Sequence, residues 1–262
     1  MFSNIPVHTV RLSGVYNTVD EIPHTISEYG DHRSGGSPLI NGATQKMIDV
    51  VKSIDKQKLT VVDFGGGNGK MYSTLKQETD KSFDYKIVEL PKVSNDLGDE
   101  VTYHTSIDQI TGPVDILFSD ATIYATGDPV SANVNNFCSI RADYIVLNRS
   151  MLFFHPKEGS DFAVKSFYTW VEKQNFYYNL VELAEYEKYF KSSGYEIVKK
   201  TYSGFMDESP PRQVFCLGAR YGDDPLITYL AEVDETPPAV VEGRKIDDPV
   251  ITYFDHVFKR SE

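Results

Sequence analysis

The sequence predicts an α/β fold: a mostly parallel sheet with helices on both faces and a C-terminal antiparallel hairpin. Three observations carry this. Apolar runs suited to buried strands alternate with amphipathic helical stretches from residue 58 onward. A glycine-rich turn, GGGNG, stands directly behind the first of those runs, KLTVVDF. And 262 residues, 40% hydrophobic and 13% aromatic, suffice to bury a sizeable core.

Residues 1–41 are turn-rich; GVYNTVDEIP suggests a short helix or lid, and RSGGSP a loop. In GATQKMIDVVKSID, residues 42–55, Met47, Val50, Val51 and Ile54 recur at the spacing of an amphipathic helix. KLTVVDF reads as a buried strand and GGGNGKMYSTLKQ as a loop opening into a helix. DYKIVEL, EVTYHTS and VDILFSDA follow as strands, SANVNNFCSIR as a helix and ADYIVLNRS as a strand. FYTWVEKQNFYYN is dense in aromatics, which suit a buried helix face and a sugar-stacking surface equally well. LVELAEYEKYFKSS, residues 180–193, predicts a helix closed by Gly194. YEIVKKTYS and RQVFCLGARY then predict two strands joined as a hairpin through the Pro-rich turn GFMDESPP.

The chain thus divides into an N-terminal lid or helical segment (1–41), a ligand-binding α/β domain (42–220) and an acidic C-terminal extension (221–262). The extension holds ten acids and four bases, half of the net charge of −12. It repeats DDPLITYL (223–230) as DDPVITYF (247–254). The repeat reads either as two edge elements that fold back on the core or pair with another subunit, or as a tail whose apolar residues patch the surface. The first alternative makes a homo-oligomer through the extension possible.

The acidic field repels polyphosphate, which makes nucleic acid a poor partner. Cys138 and Cys216 lie in apolar settings and read as buried free thiols in a reducing compartment. No cysteine–histidine cluster has metal spacing and no carboxylate pattern predicts a metal. The N-terminus lacks the layout of a signal peptide, and no apolar run approaches the ~20 residues that cross a bilayer. The expectation is a soluble, cytoplasmic protein.

What the glycines serve is decided by spacing. A P-loop needs Gly-x4-Gly-Lys-Ser/Thr, but Phe64 stands at the first glycine and Met71 at the hydroxyl. A dinucleotide fingerprint counted from Gly65 and Gly67 puts Lys70 where its third glycine belongs. The stretch instead reads Asp63-x-Gly65-x-Gly67-x-Gly69, with Gly66 between, and this resembles the first motif of class I S-adenosylmethionine-dependent methyltransferases. Backbone without side chains can lie against the ligand's aminocarboxypropyl chain and ribose, and Asp63 can orient its amino group. Glu89 ends the next strand 22 residues after Gly67, where an acid accepts ribose hydroxyls. The resemblance implies adenine contacts from Ser106 and Ile107, with Ser119 completing the cofactor set; Ser106 is also a natural N-cap for SIDQI.

Beyond the cofactor, GVYNTVDEIP, VVDFGGGNGKMY, YKIVELPKV, SIDQI, VDILFSDATIY, YIVLNRS and ELAEYEKYFKSSGYEIV follow the order of a methyltransferase family associated with surface-polysaccharide biosynthesis. The similarity covers roughly residues 14 to 200. It implies a Rossmann-like class I methyltransferase fold with a seven-stranded sheet, and O-methylation of a sugar or glycan. Asp120 departs from the small residues usual after the fourth strand, and the tail from 221 lies outside the resemblance.

Methyl transfer to a hydroxyl requires alignment and benefits from a general base at the carboxyl edge of the sheet. Asp120 or His155 is the expected base, Tyr124 the residue shaping the pocket, and Arg149 the group that positions the acceptor. Each also has a structural reading, as a cap, a loop residue or an ion-pair partner; His104, inside a strand, reads as core. A non-catalytic cofactor-binding protein, a methyltransferase acting on a small metabolite, an RNA or protein methyltransferase and a nicotinamide oxidoreductase are the competing readings.

Overall fold

A computed structural model of the chain describes residues 12–22, 42–90, 97–154, 164–171, 176–202, 212–216, 229–233 and 250–261. A short strand β1 (Leu12–Tyr16) precedes helix α1 (Gly42–Ser53), strand β2 (Lys58–Phe64), helix α2 (Lys70–Glu78) and strand β3 (Ser82–Val88). Strands β4 (Thr102–His104) and β5 (Ile116–Asp120), helix α3 (Val130–Ser139) and the long strand β6 (Tyr144–Phe154) follow. Next come β7 (Ser166–Val171), β8 (Phe176–Glu182), α4 (Leu183–Ser192), β9 (Tyr195–Tyr202), β10 (Arg212–Cys216), β11 (Tyr229–Val233) and β12 (Val250–Arg260).

Seven of these strands form the central sheet in the order β4-β3-β2-β5-β6-β12-β9. β2 pairs in parallel with both β3 and β5, and β5 with β6, whereas β12 runs antiparallel to β6 and to β9. This is the Rossmann-like, mostly parallel sheet that the sequence predicts. Burial explains it. Along β2, Leu59, Val61 and Val62 are all fully buried, since helices cover both faces. Met47 and Val51 of α1 and Leu75 of α2 pack with Val61 and Phe118 on one face. Val134 and Phe137 of α3 and Tyr186 and Phe190 of α4 pack with Val62 and Leu147 on the other.

Three readings are corrected. FYTWVEKQNFYYN is no helix: β7 and β8 form an antiparallel pair, with Thr169 opposite Tyr178. Its aromatics alternate. Phe167 joins the main core, while Tyr168, Trp170 and Tyr177 form a second cluster with Tyr16, Val19 and Ile22. Residues Leu180–Glu182 accordingly belong to β8, and α4 starts three residues later than the periodicity suggests. Finally, DDPVITYF does not lie at an edge. Its residues 250–254 open β12, which sits between β6 and β9. Phe254 and Phe258 are buried, and Phe258 stacks on Phe190 at 4.0 Å, burial that only an interior strand provides.

The C-terminal antiparallel pairing thus joins β9 to β12, while β10 pairs with β11 and with the start of β12. The loops RSGGSP and GFMDESPP, and most of DDPLITYL, lie outside the described residues. No helix among the described residues is long and apolar enough to cross a membrane.

Candidate functional site

β3 and β4 extend from one side of β2, and the chain returns to its other side with β5. Strand order reverses at the β2–β5 boundary, where open α/β sheets bind ligands beyond the carboxyl ends of their strands. The glycine loop sits there. Gly65, at φ 75°, donates its N–H to the Val88 carbonyl at 2.8 Å, and Gly69 closes the turn onto the Gly66 carbonyl at 3.0 Å. A Cβ at Gly65 would strike the Thr122 side chain, one at Gly66 would lie 2.6 Å from Asp63 Cγ, and one at Gly69 would strike Leu97. At Gly67 it would meet nothing within 4 Å. Three glycines therefore make room for the protein's own side chains, and the fourth leaves an open face.

Glu89 lies beside that face. Its Oε2 accepts the Gly67 N–H at 3.0 Å and its Oε1 the Leu90 N–H at 2.8 Å, while Tyr103 donates its hydroxyl to the Gly67 carbonyl at 3.3 Å. The strand-end carboxylate and the loop thus form one unit. Ser106 is used as an N-cap: its Oγ accepts the Asp108 N–H at 3.3 Å, with Gln109 closing a capping box. Ile107 is a core side chain in the cluster that holds Val62 and Ile123. His104 is partly buried, which pushes its imidazole below the ordinary range. Ser119 is buried near the end of β5, opposite Phe64 in register, and its Oγ has no hydrogen-bond partner among the described residues.

Asp63 lies beneath the loop, 2% exposed. Tyr85, on the neighbouring strand, donates its hydroxyl to Asp63 Oδ2 at 2.7 Å. Burial pushes the Asp63 carboxyl up to about 7; the Tyr85 hydrogen bond opposes this, and the charges of Asp120 and Glu89 add to it.

On the other side of the boundary, Arg149 holds Asp120 through two hydrogen bonds of 2.6 Å, Nε to Oδ1 and Nη2 to Oδ2. Burial works against the guanidinium charge, but the Asp120 carboxylate overcomes it and raises the Arg149 pKa. The geometry originates in a β-bulge. The β6–β12 register slips between Phe254 and His256, so Asp255 faces both Asn148 and Arg149, and Arg149 takes φ 50°. Asp255, 1% exposed, accepts the Arg149 N–H at 2.7 Å and pairs with Lys46 of α1. Tyr124 is buried against Tyr178, with ring centroids 4.8 Å apart, and near Tyr253, which fixes the loop after β5 rather than opening it. His155 lies outside the described residues.

The fold therefore gathers Asp63, Gly65, Gly66, Gly67, Gly69 and Glu89 on one side and Asp120 and Arg149 on the other. Lys46, Tyr85, Thr122 and Asp255 are supporting residues that motif reasoning missed. Only Asp255 carried a signal, a carboxylate in the otherwise apolar run VITYFDHVF. Among the described residues no group of three or more His, Cys, Asp or Glu is placed to hold a metal ion.

No family model matches the chain, and no curated protein matches it in sequence. Among solved structures it is similar to the Burkholderia thailandensis 1,6-didemethyltoxoflavin-N1-methyltransferase bound to 1,6-didemethyltoxoflavin and S-adenosylhomocysteine. That alignment has 10% identity and a TM-score of 0.48, over 85% of this chain and 80% of that one. It is similar also to the N-terminal domain of EvdMO1 in the presence of S-adenosylhomocysteine and D-fucose, at 10% identity and a TM-score of 0.48, covering 87% and 85%. The complex between the Haloferax volcanii methyltransferase activator Trm112 and its partner aligns at 16% identity and a TM-score of 0.47, covering 84% and 89%.

Proposed function

We propose that this protein is an S-adenosylmethionine-dependent methyltransferase acting on a hydroxyl of a sugar, glycan or small metabolite. One observation carries the reading: the open face of Gly67 lies at the β2–β5 boundary with the Glu89 carboxylate beside it. Main chain without a side chain suits the aminocarboxypropyl part of the donor, and a carboxylate there suits ribose hydroxyls. The Ser119 Oγ, without a partner among the described residues, offers a further polar group at the same boundary. When bound, the donor supplies a methyl group on a sulfonium, which is transferred by in-line displacement.

The chain's own residues orient the partners. Gly67 and Glu89 fix the donor, and Arg149, aimed by the bulge, fixes the acceptor side. Both Asp120 oxygens are engaged by Arg149, so in this reading Asp120 orders the guanidinium and His155 remains the base.

Calorimetry with S-adenosylmethionine against NAD tests the donor: the first binds and the second does not. Incubation with methyl-labelled donor and a glycan or metabolite extract tests the reaction. Donor binding without transfer to any hydroxyl acceptor overturns catalysis in favour of a cofactor-binding protein.

A further inference from the structure

Beneath the glycine loop lies a carboxyl group with little to support a charge. Asp63 is 2% exposed, and Tyr85 is its only hydrogen-bond partner among the described residues. Gly66 packs directly on the carboxyl, close enough that a Cβ would lie 2.6 Å from Asp63 Cγ. The charged groups that face it are of its own sign: Glu89 beyond the end of β3 and Asp120 at the end of β5. Tyr103 of β4 stands behind Tyr85. Arg149, on the far side of Asp120, is held by that carboxylate.

A buried carboxylate with one neutral donor and two like charges holds its proton. A cation seated on the loop changes the balance. Its charge, acting across the thin glycine main chain in low dielectric, favours the ionised form.

We propose that Asp63, held by Tyr85, sets the specificity of the loop for a positively charged ligand by releasing its proton to solvent as that ligand binds. The inference rests on the methyltransferase reading, and it deepens it. The donor carries an ammonium, a carboxylate and a sulfonium, a net positive charge, whereas its demethylated product keeps the ammonium and the carboxylate and is neutral overall. The charge that leaves with the methyl group is then part of what holds the donor, so turnover itself weakens retention of the product. Tyr85 is a positioning residue here: it favours the ionised form and keeps Oδ2 in place under Gly66. The direction agrees with the upward displacement of the Asp63 carboxyl by burial.

The linkage has a definite sign. Below the pH at which free Asp63 ionises, binding must expel a proton, so affinity drops as pH falls, by up to about tenfold per pH unit. Above that pH no proton is released from Asp63. The ligand's own α-amino group ionises at about 7.7–8.0, so the comparison belongs below that range.

The test is calorimetry of S-adenosylmethionine and S-adenosylhomocysteine binding at about pH 6 and about pH 7.5, in pairs of buffers differing in ionisation enthalpy. The expected result is release of close to one proton at the lower pH and less at the higher, with the larger pH dependence for S-adenosylmethionine. Asp63→Asn keeps the volume and should bind both compounds more weakly, with no proton release. Tyr85→Phe should move the affinity break to higher pH. Carbon-13 NMR of aspartate carboxyls, assigned by difference from Asp63→Asn, reads the same group without ligand. Titration of Asp63 in the ordinary carboxylate range, or ligand binding without proton release, overturns the inference and leaves the function standing. Failure of the wild-type protein to bind either compound at any pH overturns both.

Discussion

The two sides of the site are built by different means. The glycine-loop side is local: β2, the loop, β3 and Glu89 span residues 58 to 89, and main-chain hydrogen bonds together with the Glu89 carboxylate hold them together. The Arg149 side is assembled from Lys46, Asp120, Arg149 and Asp255, which come from α1, β5, β6 and β12 and are separated by up to 209 residues. A local unit can be destroyed functionally by one side chain while the fold survives. A dispersed one is inseparable from the fold, because its residues sit in the same strands that close the core.

The largest effect should come from breaking β12. Phe258→Ala empties a fully buried position stacked on Phe190, and should cost about 3–5 kcal/mol in urea unfolding. Donor binding at low temperature should survive only in the fraction that remains folded. Glu89→Ala should do the reverse: donor affinity falls about 10–100-fold by calorimetry, from the loss of charged hydrogen bonds worth about 1.5–3 kcal/mol. Its unfolding midpoint should move much less than that of Phe258→Ala. An unchanged affinity in Glu89→Ala would remove the donor site as described.

Two buried regions should also answer pH in opposite ways: Asp63 under the glycine loop, and Glu187 of α4 with His256 of β12. Burial disfavours the charge on Glu187, but the His256 ring at 3.5 Å and the Lys200 ammonium at 2.7 Å overcome it and hold the carboxyl at about 2. Burial pushes the His256 imidazole below its usual range although Glu187 opposes this.

Both groups bind fewer protons folded than unfolded. The stability that Glu187 adds is complete above its unfolded value of 4.5 and is lost as pH falls toward 2; for His256 the loss begins below 6.5. Asp63 has the opposite sign. Its folded value of about 7 lies above the unfolded 3.8, so its contribution is complete below 3.8 and lost as pH rises through 7. Asp63→Asn should therefore stabilise more at pH 8 than at pH 5, and Glu187→Gln should destabilise more at pH 6 than at pH 3. Thermal melts of both variants across that range check the signs.

The smallest effect belongs to neither side. Lys188 and Glu185 pair at 3.1 Å on the exposed face of α4, with Lys188 70% exposed. Lys188→Ala should change stability by about 0.5 kcal/mol or less, which sets the floor against which the other variants are read.

How much was legible follows the same division. The β2 strand, the loop after it and Glu89 could be read because hydrophobic periodicity and glycine spacing are properties of neighbouring residues. The strands β7 and β8 were obscured because aromatics alternate between two separate clusters, so both faces of the run look apolar. The interior place of β12 is hidden in the sequence because the charge of residues 221 to 249 masks the apolar run after them, and its partners β6 and β9 lie far away in sequence. Arg149 could be named from its place near the end of the expected strand ADYIVLNRS. That its backbone turns left-handed under an aspartate from the last strand could not, since register is a property of the pairing and not of either segment.

The slip of one residue opposite Asp255 has a consequence for synthesis. A ribosome delivers the glycine turn early, and its main-chain hydrogen bonds reach no further along the chain than Val88. The grip on Arg149 cannot exist until Val250–Arg260 has emerged and slotted between two strands already made. The main-chain hydrogen bonds of the glycine turn can then form before the one that seats Arg149, and a nascent chain stalled before residue 250 would have the partners for the first and lack the partner for the second.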